Sequence, residues 1–136
     1  MEGDIAKKQK VVIVEDDNFL GDLLLEHITK NGIEVSLFRD AETALSSIEK
    51  EIPSLLVADI LLPGMDGFAF LEKLLEKKIL PSLPVIILSN LSQVKDIERA
   101  TALGVKAYLG KSNFDLDDIT KKVKEILDKN ESPLKN

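Results

Sequence analysis

The stretch Leu55-Leu56-Val57-Ala58-Asp59 constrains the fold more than any other part of the chain. Four apolar residues in succession leave no polar face. A strand of this kind must be covered on both sides, as crossover helices cover the central strands of a parallel sheet. The run stops at a carboxylate, and Pro63-Gly64 breaks the chain before a helical pattern begins at Asp66. Open α/β sheets bind their ligands beyond the carboxyl ends of their strands. Asp59 is therefore the first candidate functional residue.

The rest of the chain repeats this strand-then-helix rhythm. Lys10–Val14 is a β-branched run that ends in Glu15-Asp16-Asp17, and Val85–Leu88 is a second one that ends at Ser89. Ile33–Phe38 alternates and is less apolar, which suits an edge strand. Lys106–Leu109 is a short strand running into Gly110-Lys111. Between them the apolar spacing turns helical. The first helix carries Phe19, Leu20, Leu23, Leu24 and Ile28; the second, capped by Asp40, carries Ala41, Ala44, Leu45 and Ile48. Asp66–Lys77 presents Phe68, Leu71, Leu74 and Leu75. Ser92–Leu103 is weakly amphipathic, with Val94, Ile97, Ala100, Ala102 and Leu103 as its apolar candidates. The last helix turns Ile119, Val123, Ile126 and Leu127 inward. Five strands alternating with five helices imply an α/β chain with right-handed crossovers. The natural solution is a flavodoxin-like three-layer sandwich with a five-stranded parallel sheet of order 2-1-3-4-5. Residues 1–9 read as a polar leader, 10–129 as one domain and 130–136 as a polar tail.

Composition narrows the chemistry. A net charge of −6 disfavours nucleic-acid binding, which calls for a basic face. There is no cysteine for a disulfide or thiolate metal site, and a single histidine, His27, which reads as an exposed helix residue. No apolar stretch has membrane-spanning length, and the charged start lacks a signal-peptide core, so the expected location is cytoplasmic. Asp17 and Asp66 read as helix caps, and the C-terminal lysines as a solvated face.

In the predicted strand order, the residues that end the buried strands, Glu15-Asp16, Asp59, Ser89 and Lys111, converge on one crevice. Clustered carboxylates repel and need a cation, and oxygen ligands favour a hard metal such as Mg²⁺. Lys111 can neutralise an anion and Ser89 can donate to one. A carboxylate in that company can attack a phosphoryl group to give an aspartyl phosphate.

The nine residues Asp59-Ile60-Leu61-Leu62-Pro63-Gly64-Met65-Asp66-Gly67 resemble the phosphoacceptor segment of two-component response-regulator receiver domains, and the resemblance extends over roughly residues 9–129. It implies that Asp59 is phosphorylated by a sensor histidine kinase or a histidine phosphotransfer protein. It also implies that Asp16 is a direct Mg²⁺ ligand, that Glu15 acts through water, and that the backbone carbonyl of Leu61 completes the protein's share. Ser89 matches the hydroxyl switch residue, Tyr108 the aromatic one, and Lys111 the phosphoryl-contacting lysine. The implied output is a changed surface on the fourth helix, fifth strand and fifth helix, read by a downstream protein, with a phosphorylation-dependent homodimer left open. Such a chain is not an enzyme beyond its own phosphorylation and dephosphorylation. Its end soon after the fifth helix leaves two expectations, a stand-alone receiver or a piece of a longer regulator.

Three positions depart from the family pattern. Ser112 replaces the proline that usually follows the lysine in a cis peptide. A non-proline cis bond costs about 2.5–4 kcal/mol, so this loop is expected to differ in shape. Asn90 is larger than the residue that usually follows the switch hydroxyl, and Leu61 is apolar where many relatives are polar. A constitutive interaction module draws its only support from Ser112 and Asn90. A phosphohydrolase with an aspartyl-phosphate intermediate needs a general acid at position 61, which leucine cannot be. A flavin protein would need a phosphate-cradling loop after the first strand, and none is present.

Overall fold

The computed structural model describes residues 9–91 and 93–130; the leader and tail expected from the sequence otherwise lie outside the described residues. Strands β1 (Lys10–Val14), β2 (Glu34–Phe38), β3 (Leu55–Ala58), β4 (Val85–Ser89) and β5 (Ala107–Gly110) form one sheet in the order β2-β1-β3-β4-β5. Every pairing is parallel. Helices α1 (Asn18–Thr29), α2 (Ala41–Lys50), α3 (Gly67–Glu76), α4 (Val94–Ala102) and α5 (Leu116–Asn130) make the crossovers.

Side chains alternate across a strand, and the core divides accordingly. Val12, Val14, Leu56, Ala58, Val85 and Ile87 face one way and pack with the buried residues of α2, α3 and α4. Val11, Ile13, Leu55, Val57, Ile86 and Leu88 face the other way and pack with α1 and α5. This is the three-layer sandwich expected from the rhythm of the sequence.

Helix starts follow from side-chain oxygens that satisfy orphan amides. Asp17 accepts from Leu20 N–H (3.2 Å), Asp40 from Thr43 N–H (2.8 Å) and Asp66 from Ala69 N–H (2.9 Å). Before α5, Asp115 and Asp118 accept each other's amides at 2.8 and 3.2 Å, a reciprocal cap.

Several inward faces differ from those expected. Phe19 is 75% exposed and projects from α1. On α3, Phe70 rather than Leu75 is buried, because the helix packs against α2 as well as the sheet and so buries a wider face than the predicted stripe. Helix α4 is shorter than expected and does not bury Val94 or Ala102; its buried residues are Asp96 and Ala100. His27 is half-buried, and its Nε2 lies 2.9 Å from Asp117 Oδ1, tying α1 to α5. Strands β2 and β5 each begin one residue later than expected, at Glu34 and Ala107.

Candidate functional site

The parallel register aligns the strand ends. Val14 pairs with Ala58, Ala58 with Ile87, and Ser89 with Gly110, so the next residue of each strand emerges on one edge. Backbone bonds carry the ladder past the strands: Asp59 N–H donates to Val14 carbonyl (3.2 Å), Lys111 N–H to Ser89 carbonyl (3.1 Å) and Glu15 N–H to Phe38 carbonyl (3.0 Å). The side chains that end β1, β3 and β5 are thereby held on a rigid base.

Three carboxylates meet there. One oxygen each from Glu15, Asp16 and Asp59 lie within 4.8 Å of one another. Asp59 and Glu15 are only 3% and 2% exposed, while Asp16 is open to solvent. Asp59 is gripped at both oxygens: Oδ1 accepts Leu61 N–H at 3.0 Å, and Oδ2 accepts Lys111 Nζ at 2.7 Å. The same ammonium lies 3.0 Å from Glu15 Oε1 and 3.1 Å from Oε2, and Oε2 also accepts Asp17 N–H. Burial pushes the Glu15 carboxyl above its usual range, against the pull of Asp17 N–H and Lys111. Burial works against the charge of Lys111 too, but its bonds to Asp59 and Glu15 prevail and raise its pKa.

One ammonium among three carboxylates leaves the cluster negative. The donor set is all oxygen, two of its members are dry, and its oxygens are close enough to share one ion. These residues fit a hard divalent cation.

The loop after Asp59 is built around two glycines. Gly64 has φ +71°, the left-handed region that side chains disfavour. Gly67 sits so close to the end of β3 that an added Cβ would lie 2.5 Å from Asp59 carbonyl oxygen and 2.5 Å from Ile60 Cα. Its amide donates to Ile60 carbonyl at 2.8 Å, folding the loop back to start α3. Glu42, which the sequence did not single out, braces the loop from α2 by accepting Met65 N–H at 3.2 Å.

Ser89 is fully buried, and its Oγ accepts Leu91 N–H at 3.2 Å. The Tyr108 ring packs against the core, and its hydroxyl donates to the carbonyl of the same Leu91. Leu91 therefore links the two expected switch residues, a contact invisible in their spacing. Burial chiefly, then the charges of Asp96 and Asp59, raise the Tyr108 pKa, while a hydrogen bond with Ser89 opposes this. Among the described residues the one cis peptide is Leu80–Pro81, so Lys111–Ser112 is trans, in keeping with serine at that place.

The rim is apolar. Phe19, Leu61 and Phe114 are 75%, 54% and 38% exposed. Beside Lys111, a cavity of about 250 Å³ opens between Leu20, Leu23, Leu88, Phe114 and Leu116. A larger groove of about 760 Å³, lined by Leu25, Ile33 and Val35, includes the residues that start β2 and so lies toward the opposite end of the sheet. No described helix is long and apolar enough to cross a membrane.

Comparison with known proteins agrees with this geometry. The family-wide profile of the response regulator receiver domain matches residues 11–124. An uncharacterised 14.6 kDa protein of Leptolyngbya boryana is 35% identical over 101 residues, covering 74% of this chain and 77% of that one. The Bacillus subtilis alkaline phosphatase synthesis transcriptional regulatory protein PhoP is 29% identical over 90% of this chain but only 50% of its own length. The chain thus spans about half the length of several curated regulators it matches. Among solved structures, a CheY-like receiver domain protein from Methanospirillum hungatei JF-1 superposes with a TM-score of 0.85 at 29% identity, covering 93% of this chain and 99% of that one. The chain belongs to the response regulator receiver domain family.

Proposed function

We propose that this receiver is a phosphorylation-controlled switch whose phosphoacceptor is Asp59. The observation that carries the reading is the grip on Asp59: a buried carboxylate held by an amide and an ammonium, with two further carboxylates within 4.8 Å. An oxygen of Asp59 attacks the phosphorus of a phosphohistidine on a sensor histidine kinase or phosphotransfer protein. The new O–P bond forms as the P–N bond breaks, and the imidazole leaves with the electron pair. Lys111 offsets the negative charge that the phosphoryl oxygens bring, and the Ser89 hydroxyl is the nearby neutral donor. Asp16, Asp59 and the Leu61 carbonyl would hold Mg²⁺ directly and Glu15 through water. When bound, the ion supplies charge neutralisation for the transferring phosphoryl oxygens. The apolar rim of Phe19, Leu61 and Phe114 supports a protein donor, since exposed apolar patches mark docking surfaces.

The output follows from Leu91. The Ser89 hydroxyl donates its proton to the phosphoryl group on Asp59 while its oxygen keeps accepting Leu91 N–H, and Leu91 in turn fixes Tyr108. Tyr108 is turned inward with its hydroxyl on the Leu91 carbonyl, and this is the arrangement that the phosphoryl group favours. The surface of α4, β5 and α5 then changes its affinity for a downstream protein or a second copy. Cytoplasmic placement fits such partners. The leucine at position 61 offers no general acid, which argues against a phosphohydrolase.

Incubation with Mg²⁺ and acetyl phosphate tests the reading by intact mass. One added phosphate is expected, and none on Asp59→Asn. An unchanged mass for the native protein, or the same gain by the variant, overturns it.

A further inference from the structure

Outside the carboxylate cluster, Asp96 is the one buried acidic residue among the described residues. It is 9% exposed, and its Oδ2 has no hydrogen-bond partner among the described residues. The cation three residues on, Arg99, is engaged elsewhere: it donates to Glu72 at 3.1 Å and lies 4.2 Å over the Phe68 ring. Gln93, which caps α4, makes no side-chain capping bond. A buried carboxylate oxygen without a partner is costly, and the cost falls if water reaches it.

Asp96 occupies a sensitive place. With Ala100 it forms the buried side of α4, which packs on β5, and the Tyr108 ring packs against the cluster that contains Ala100. Val94, the first apolar residue of the helix, is 70% exposed and anchors nothing. Asp96 and the Tyr108 ring therefore lie on the same side of the sheet, between α4 and β5. The Tyr108 hydroxyl donates to the Leu91 carbonyl instead of to Asp96.

We propose that Asp96 is a positioning residue of the switch, whose buried, unsatisfied Oδ2 opposes the inward seat of Tyr108 and so sets the balance that phosphorylation must overcome. The proposal rests on the phosphorylation reading above and names its regulation. An outward shift of Tyr108 or of the first turn of α4 hydrates Asp96. Ser89, drawn to the phosphoryl group, holds Leu91 and thereby Tyr108 against that shift. Asp96 touches none of the reacting groups, so removing its charge moves the balance and leaves the chemistry intact.

Tyr108 is the only tyrosine and there is no tryptophan, so the intrinsic emission of the protein reports on this ring alone. Acrylamide quenching is compared for the native protein, Asp96→Asn and Asp96→Ala, followed by titration with beryllofluoride in Mg²⁺. Both variants are expected to shield Tyr108 more than the native protein and to bind beryllofluoride about tenfold tighter, the scale set by one unsatisfied buried oxygen relieved. Native quenching with native or weaker beryllofluoride binding in both variants overturns the proposal. Loss of helical circular dichroism in Asp96→Asn overturns it too, since a charge that opposes this packing cannot be its support. If the native protein fails to bind beryllofluoride, the phosphorylation reading is what falls, and the quenching series still decides the role of Asp96.

Discussion

Replacing Lys111 by methionine keeps most of the side-chain length and removes the one cation of the site. In the structure Nζ is 2.7 Å from Asp59 Oδ2 and 3.0 Å from Glu15 Oε1. At an effective dielectric of 20, each contact is worth about 6 kcal/mol of gross attraction. Desolvation of three charged groups cancels much of that, and breaking a buried pair costs about 3–5 kcal/mol net. Lys111 is 17% exposed and Asp16 admits water, so the lower end of that range, about 3 kcal/mol, is expected without metal. The variant leaves three carboxylates with no compensating charge. Mg²⁺ should therefore bind it more tightly than the native protein and restore more stability to it by mass action. Urea denaturation with EDTA and with Mg²⁺, for both proteins, reads each term. A loss below about 1 kcal/mol in EDTA, or equal stabilisation of both proteins by Mg²⁺, would refute the view that Lys111 neutralises this cluster.

Two other expectations are simpler to check. The folded-state pKa of Tyr108 lies above the ordinary tyrosine value of 10.0, because burial and the charges of Asp96 and Asp59 disfavour the phenolate. Its stability contribution is full below pH 10.0 and is lost as pH rises through the folded value, so the phenolate absorbance of the native protein should titrate at higher pH than in denaturant; coincident curves would contradict the packing described. Gly67→Ala should cost about 1–3 kcal/mol and weaken Mg²⁺ binding, because its Cβ would strike the backbone of Asp59 and Ile60 rather than a movable side chain; calorimetry showing native stability and affinity would place the loop elsewhere.

The strand-and-helix rhythm, the apolar strand runs and the aspartates before α1, α2 and α3 were legible because their causes are local. Period, propensity and capping act over a few residues. The convergence of Glu15, Asp16, Asp59 and Lys111 was legible at one remove, since a parallel sheet of known order carries every strand end to the same edge. The inward faces of α2 and α5 were legible too, but those of α1, α3 and α4 only in part. Phe19 and Val94 have the spacing of core residues but are exposed, while Asp96 has the composition of a surface residue and is buried. A helix of nine residues lying on an edge strand is placed by its neighbours, and the little apolar surface of α4 leaves its own stripe without the final say.

The run from Leu55 to Asp59, bracketed by Pro53 and Pro63-Gly64 in a chain of alternating strands and helices, determined that a buried parallel strand ends in a carboxylate, because such a strand is covered on both faces. Only the tertiary structure decided what grips that carboxylate: Leu61 N–H on one oxygen, Lys111 on the other, and a Leu91 peptide joining Ser89 to Tyr108. Those contacts join residues up to 52 positions apart along the chain. Hydrogen bonds and buried charges have energies set by ångström-scale distance and by dryness, and neither exists until the sheet has closed.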